Sequence, residues 1–258
     1  MNGQARMEKK KHSQENRDPL RKAEQLCEQG KWKEALRVYA RAISRRPADE
    51  RLYFGRGLLY FKLNEYPRSI EDLTKVIEID PGYAGGDAYE VRGNAEFWSG
   101  DYEHAIADLT NAIEMGAGNP DVYLKRGLSF MHKGHYQEAA ADFEVLSRYS
   151  AYDELCTLAL GDSYTALGQH RQAIECYSRL FNGYPFDPSV CLKRAAAFEK
   201  TGNYRAAMQD YRRIVDFYSG LIENDPKQSW VYSARGFVLK KMGRERDALE
   251  DYRRAERL

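Results

Sequence analysis

One recurrence constrains this chain more than any other feature. A glycine or alanine returns about every 34 residues, in the same company each time. The anchors are Ala23, Gly57, Gly93, Gly127, Gly161, Ala195 and Gly236. Seven residues beyond each stands Gly30, Asn64, Gly100, Gly134, Gly168, Gly202 or Gly243, types that accept the left-handed backbone at a helix end. Two further on comes Trp32, Tyr66, Tyr102, Tyr136, His170 or Tyr204, with Glu245 the exception. Then follow a small residue (Ala35, Ser69, Ala105, Ala139, Ala173, Ala207, Ala248) and, four later, a bulky one (Tyr39, Leu73, Leu109, Phe143, Tyr177, Tyr211, Tyr252). In the middle copy, Tyr123, Gly127 and Phe130 share one helical face. Gly134 ends that helix, and Tyr136, Ala139 and Phe143 mark the inner face of a second. Each copy thus spells two antiparallel helices that cross closely at small residues. Such a hairpin cannot bury its apolar face alone, so the copies must stack, and the expected fold is all-α. Units are expected to start near 16, 50, 86, 120, 154, 188 and 229, making residues 16–258 a single array. Residues 1–15 lack apolar periodicity, carry Lys9, Lys10 and Lys11, and are expected to be a disordered basic tail.

This period and these positions resemble the tetratricopeptide repeat (TPR), a helix–turn–helix of about 34 residues. The resemblance implies a right-handed superhelical α-solenoid whose first helices line a concave groove that holds peptides. It places groove residues at the fifth, ninth, twelfth and thirteenth positions of each unit. Unit two then offers Phe54, Leu58, Phe61 and Lys62; unit three Glu90, Asn94, Phe97 and Trp98; unit four Leu124, Leu128, Met131 and His132. The groove would be apolar and aromatic in its first half and polar with a basic end, at Lys240 and Lys241. Co-chaperone members of the family clamp a C-terminal carboxylate with lysines, asparagines and an arginine. The matching positions here hold Leu20, Glu24, Gly55, Asp87 and Val91, and a frame one unit later holds Phe54, Leu58, Val91, Asp121 and Lys125. No carboxylate-clamp binding of chaperone tails is therefore expected.

Where the family has an aliphatic residue before the first-helix glycine, five units carry Arg56, Arg92, Arg126, Arg194 and Arg235. The same five carry Asp72, Asp108, Asp142, Asp210 and Asp251 before the bulky residue of the second helix. The other two units lack both, with Lys22 and Val38 in one and Leu160 and Cys176 in the other. Matched gain and loss within units points to an ion pair bridging the two helices of one hairpin. A half-buried guanidinium needs such a partner to offset its desolvation. The competing reading is that these arginines face a ligand.

Two insertions break the register. GYAGG at Gly82–Gly86 lengthens one connection by two residues. Seven more fall in Tyr211–Pro226, read as an overlong second helix of unit six. Its Phe217, Tyr218, Leu221 and Ile222 form either a harmless continuation of the apolar face or a ridge for a partner.

The remaining features exclude more than they assign. Net charge is +1, so no whole-molecule field draws the chain to nucleic acid or an anionic membrane. No apolar run reaches the roughly 18 residues of a membrane span. Cys27, Cys156, Cys176 and Cys191 form no CxxC or zinc spacing and read as reduced thiols, so a cytoplasmic setting is expected; a disulfide or metal framework is the alternative. His132 and His135 are separated by a helix-ending glycine, which argues against metal ligation. No nucleophile, phosphate-loop or metalloprotease motif occurs. The expected function is a non-enzymatic scaffold or adaptor, without cofactor, holding a peptide or helix of another protein. The alternative is an architectural subunit that self-associates through its C-terminal end and the extended helix.

Overall fold

The computed structural model describes residues 18–116, 119–149, 153–183 and 186–258; the basic tail 1–15 lies outside them. Among the described residues there are 14 α-helices and no strand. In chain order they are α1 (Pro19–Glu28), α2 (Trp32–Ile43), α3 (Glu50–Lys62), α4 (Tyr66–Ile79), α5 (Asp87–Ser99), α6 (Tyr102–Glu114) and α7 (Asp121–Lys133). They continue with α8 (Tyr136–Leu146), α9 (Asp153–Ala166), α10 (His170–Gly183), α11 (Pro188–Lys200), α12 (Tyr204–Asn224), α13 (Ser229–Lys241) and α14 (Glu245–Glu256). The chain forms two compact units, one through Gly134 and one from His135. In the first, α1–α2, α3–α4 and α5–α6 are hairpins, and α2 meets α3, α4 meets α5 and α6 meets α7. In the second, α8 packs on α9, and the hairpins α9–α10, α11–α12 and α13–α14 stack in turn. The fold is an all-α solenoid of stacked antiparallel helix pairs.

Local sequence explains the ends of these helices. Asp18 caps α1 by accepting from Leu20 N, with Pro19 at the first position, where its missing N–H costs nothing. Asp187 and Pro188 repeat the device at α11. All seven turn residues have positive φ; Asn64, at 59°, is the one that is not glycine. The inserted Gly82–Gly86 carries a short 3₁₀ turn, Tyr83–Gly86, and Gly86 at φ 102° sits against Ala112 of α6 and Met115, which caps it.

Close crossing builds the core. Ala35, Ala105, Ala139 and Ala173 are wholly buried, as are the rings of Tyr39, Phe143, Tyr177 and Tyr211. At Gly236 an added Cβ would stand 2.9 Å from Tyr252 Cε1 and 3.2 Å from the Ala248 carbonyl, so only glycine lets α13 and α14 approach this closely. The long α12 runs without interruption through Gly220.

Charge completes each hairpin. Arg56 donates from Nε and Nη2 to Asp72 at 2.7 and 2.6 Å. Arg92 does the same to Asp108 (2.5 and 2.9 Å), Arg194 to Asp210 (2.8 and 2.7 Å) and Arg235 to Asp251 (2.8 and 2.7 Å). Such bidentate pairing fits the planar guanidinium, and it holds Arg56, Arg92 and Arg235 charged above the ordinary arginine range. On Asp72, burial pushes the pKa up while Arg56 opposes it; the doubly bonded geometry decides for the ionised pair. Arg126 lies in the first compact unit and Asp142, buried, in the second.

A further contact was not visible in the repeat pattern. The remaining amino group, Nη1, reaches back to a hydroxyl on the preceding hairpin's second helix. Arg92 meets Thr74 at 3.0 Å, Arg126 Thr110 at 3.1 Å, Arg194 Ser178 at 3.3 Å and Arg235 Ser219 at 3.0 Å. One side chain thus closes its own hairpin and fastens it to the one before. Thr74, Thr110 and Ser178 share a register, five residues beyond the small residue of the second helix. On α12 that position is Arg212, and the acceptor is Ser219 instead, seven residues or about two helical turns on. The extension of α12 therefore replaces a donor by an acceptor at the next interface.

One pair is crowded. Four residues after the arginine, other units place Tyr60, Phe130 or Phe198 beside the guanidinium, 5.8–5.9 Å from ring centroid to Cζ. Unit three places Glu96 there, buried, with Oε1 3.9 Å from Arg92 Nε and Oε2 without a hydrogen bond. Burial first, then the neighbouring Asp108 on α6, pushes the Glu96 carboxyl up to about 8; Arg92 opposes this and Asp101 adds to it weakly.

Two outcomes follow from these contacts. Asp210→Ala strands a buried guanidinium and should destabilise the chain by roughly 3–5 kcal/mol, whereas Arg194→Met with Asp210→Leu should cost less than the single change; denaturant titration of the three chains decides it. For Glu96 the folded pKa lies above the ordinary 4.5, so its protonated form is favoured by folding. Below about pH 4.5 both states are protonated and nothing is lost; stability falls as pH rises toward about 8 and then levels. Glu96→Gln should match the native chain's thermal stability at pH 4 and exceed it at pH 8.5, by on the order of a few kcal/mol.

Candidate functional site

An apolar concavity of the first unit lies between α1 and α3, with a volume of about 600 Å³. Helical spacing puts Phe54 and Leu58 of α3 on one face, opposite Leu20 of α1. Tyr39 of α2 forms the floor. Its ring comes so close that a Cβ on Gly55 would lie 2.6 Å from the Tyr39 hydroxyl oxygen, so the glycine is what opens the space. Tyr83, from the inserted turn, packs its ring on Phe54 with centroids 5.0 Å apart. Leu58 stands at the mouth, 38% exposed.

The rim is charged and asymmetric. Glu24 and Glu28 of α1 border one side. On the other, Lys62 Nζ lies 4.6 Å over the Trp32 ring, and Arg51 is held by both oxygens of Asp49 at 2.8 and 2.9 Å. Between them, burial raises the Cys27 thiol above its usual range, with Lys62 opposing and Glu24 and Glu28 adding to the rise. The thiol is therefore kept protonated and unreactive.

The structure divides the groove residues that the repeat positions nominate. Phe54, Leu58 and Lys62 line the cavity. Phe97, Trp98 and His132 join Tyr102 in a chain of rings: Trp98–Phe97 at 5.3 Å, Phe97–Tyr102 at 5.8 Å, and Tyr102–His132 stacked at 4.2 Å with planes 2° apart. Trp98 is 57% exposed. Phe61 leans on Tyr66 at 5.7 Å, and Leu128 and Met131 are half-buried on α7. Lys62 and His132 hold the same unit position, and each covers the ring that opens the preceding hairpin's second helix (Trp32, Tyr102). Asn94 differs from the rest: it is buried, with Oδ1 lacking a hydrogen-bond partner. In the second unit the corresponding Asp162 accepts from Lys193 and, at 2.8 Å, from the Tyr177 hydroxyl.

Repeat spacing alone left Tyr83, Trp32 and Tyr39 out of the site. Tyr83 sits in an insertion with no repeat position, and the other two are second-helix residues counted as core. Leu20, Glu24 and Gly55, where a carboxylate clamp would put its polar groups, all line this cavity. All four cysteines are free. Among the described residues no group of three His, Cys, Asp or Glu side chains is placed to hold a metal, and no helix is long and apolar enough to cross a membrane.

Comparison with known proteins agrees with this fold. A family model described as tetratricopeptide repeat matches residues 20–84, 91–153 and 158–222. The chain is 30% identical over 128 residues to Hsp70-Hsp90 organizing protein 2 of Arabidopsis thaliana, covering 47% of this chain and 22% of that protein. It is 32% identical over 101 residues to the Hsp70-Hsp90 organizing protein of Triticum aestivum, covering 39% and 17%. The chain thus spans about a fifth of the length of these relatives. Among solved structures, the C-terminal part of a TPR repeat-containing protein from Cytophaga hutchinsonii superposes with a TM-score of 0.67 at 17% identity, over 90% of this chain and 93% of that one. YrrB, a TPR protein with an unusual peptide-binding site, superposes at 0.62 and 17% identity, over 76% and 97%. At these identities the likeness is one of fold.

Proposed function

Because the chain belongs to the tetratricopeptide repeat family, we propose that it is a non-enzymatic protein-interaction adaptor whose α1–α3 cavity seats the apolar anchor of a partner segment. The observation that carries this is the cavity itself: an apolar interior with Leu58 exposed at its mouth, on first helices, bordered by charge. Interfaces are recognised by such apolar centres inside polar rims. Glu24 and Glu28 favour a lysine or arginine flanking the anchor, and the Arg51–Lys62 side favours an acidic group across from it.

The names of the plant relatives point to chaperones as a partner class. In this chain the positions of a clamp supply Leu20, Glu24 and Gly55, which offer no ammonium or amide to a terminal carboxylate. A chaperone segment would accordingly be read by its internal apolar side chain and not by its end.

Peptides selected from a displayed library on the full chain, together with C-terminal peptides of Hsp70 and Hsp90 made as free acids and as amides, test this by fluorescence anisotropy. Ligands should carry a bulky apolar residue beside lysine or arginine. Leu58→Glu should weaken them about tenfold or more, and amidation should change affinity less than about twofold. Tight binding that amidation abolishes, or that Leu58→Glu leaves untouched, overturns the reading.

A further inference from the structure

Tyrosine fills the bulky position of four second helices, as Tyr39, Tyr177, Tyr211 and Tyr252. The first three are buried, and a buried hydroxyl ordinarily has a partner. On α10 the Tyr177 hydroxyl donates to Asp162 at 2.8 Å and lies 3.1 Å from the Thr165 hydroxyl. On α12 Tyr211 bonds to Glu199. Asp162 stands ninth in its repeat, and Thr165 and Glu199 stand twelfth. The first repeat has Glu24 and Cys27 at these positions, close enough to bear on Tyr39 by charge but not bonded to it. Tyr39 is 2% exposed, yet its hydroxyl has no protein hydrogen-bond partner among the described residues.

This hydroxyl ends where the α1–α3 cavity opens over Gly55. Burial raises the phenol above its ordinary range, with Cys27 and Glu24 adding to the rise, so it stays a neutral donor. Whatever fills the cavity must therefore bring an acceptor to its floor. A leucine or phenylalanine would suit Leu20, Phe54 and Leu58 but would seal the hydroxyl from water unpaired. An indole N–H only donates, and a thioether accepts weakly. A carboxylate would enter beside Glu24 and Glu28, while Lys62 already covers Trp32 and Arg51 is held by Asp49. A phenol combines an apolar ring for the walls with an oxygen that accepts.

We propose that the α1–α3 cavity takes a tyrosine of a partner protein, flanked by lysine or arginine, whose phenol oxygen accepts a hydrogen bond from the Tyr39 hydroxyl. The proposal rests on the adaptor reading of the same cavity and makes Tyr39 its specificity-determining residue. Discrimination of this kind is strong because the wrong anchor leaves a polar group of the site unpaired.

The test selects one displayed peptide library against the full native chain and against Tyr39→Phe. Recovered sequences are then measured by fluorescence anisotropy as twins with tyrosine or phenylalanine at the anchor. The native chain should enrich tyrosine and bind that twin about tenfold or more tightly than the phenylalanine twin. In Tyr39→Phe the two should fall within about twofold, and Tyr177→Phe should keep the native preference. Tyr39→Phe gives up no bond within the protein, so it should melt with the native chain, whereas Tyr177→Phe should melt lower. Equal affinity of the twins for the native chain, or a preference that survives Tyr39→Phe, overturns the proposal. So does a melting point that falls as far in Tyr39→Phe as in Tyr177→Phe, which would reveal an internal partner for the hydroxyl. Twins that bind alike yet are lost in Leu58→Glu leave the cavity as a binding site and sink only its selectivity. Failure of every peptide to bind removes both.

Discussion

The structure depends on one side chain used twice. An arginine in a first helix spends two of its three nitrogens on the aspartate of its own hairpin and the third on a hydroxyl of the preceding one. A helical hairpin of this size has no independent core, so its stability lies in the stack. Apolar faces supply most of that stability but little direction. The guanidinium adds direction, because its donors form a rigid planar fork that accepts one register. Its burial would be costly without the aspartate, and Arg194 is buried for that reason only beside Asp210.

Departures from this arrangement are compensated within the interface where they occur. Unit five has lost both charges, and Cys176 replaces the aspartate. There Tyr164 reaches Glu144, while Arg179 binds Asp153 at 2.7 Å and also reaches the Thr157 hydroxyl. Unit six carries Arg212 in the acceptor register, and two added turns of α12 bring Ser219 into its place. The same two turns bring Phe217 and Tyr218 into a run of rings from Phe186 to Trp230, so the extension has a packing role. Unit three departs without full compensation: Glu96 shares one arginine with Asp108 and stays protonated by burial.

The candidate site was only partly legible in the sequence. Phe54, Leu58 and Lys62 could be named from unit position, because a helix repeats its faces and position fixes the face. Asn94 holds the same unit position as Leu58, yet it is buried while Leu58 is open. Exposure of a first helix depends on how closely its neighbours stack, which residue type at one position does not specify. Tyr83 was out of reach for a different reason, since an inserted turn has no counterpart from which to read its direction.

The sequence by itself determined the hairpins, their turns, their close crossings and which arginines and aspartates occur together. These are contacts at fixed short spacing, and helical geometry leaves them little choice. Only the tertiary structure decided how one hairpin grips the next: the arginine–hydroxyl contacts, the floor that Tyr39 gives the α1–α3 cavity, and the register in which Ser219 replaces Arg212. Those contacts depend on the stacking angle and on the length of each connection. Both arise from packing whole faces together, and no periodicity in the chain encodes them.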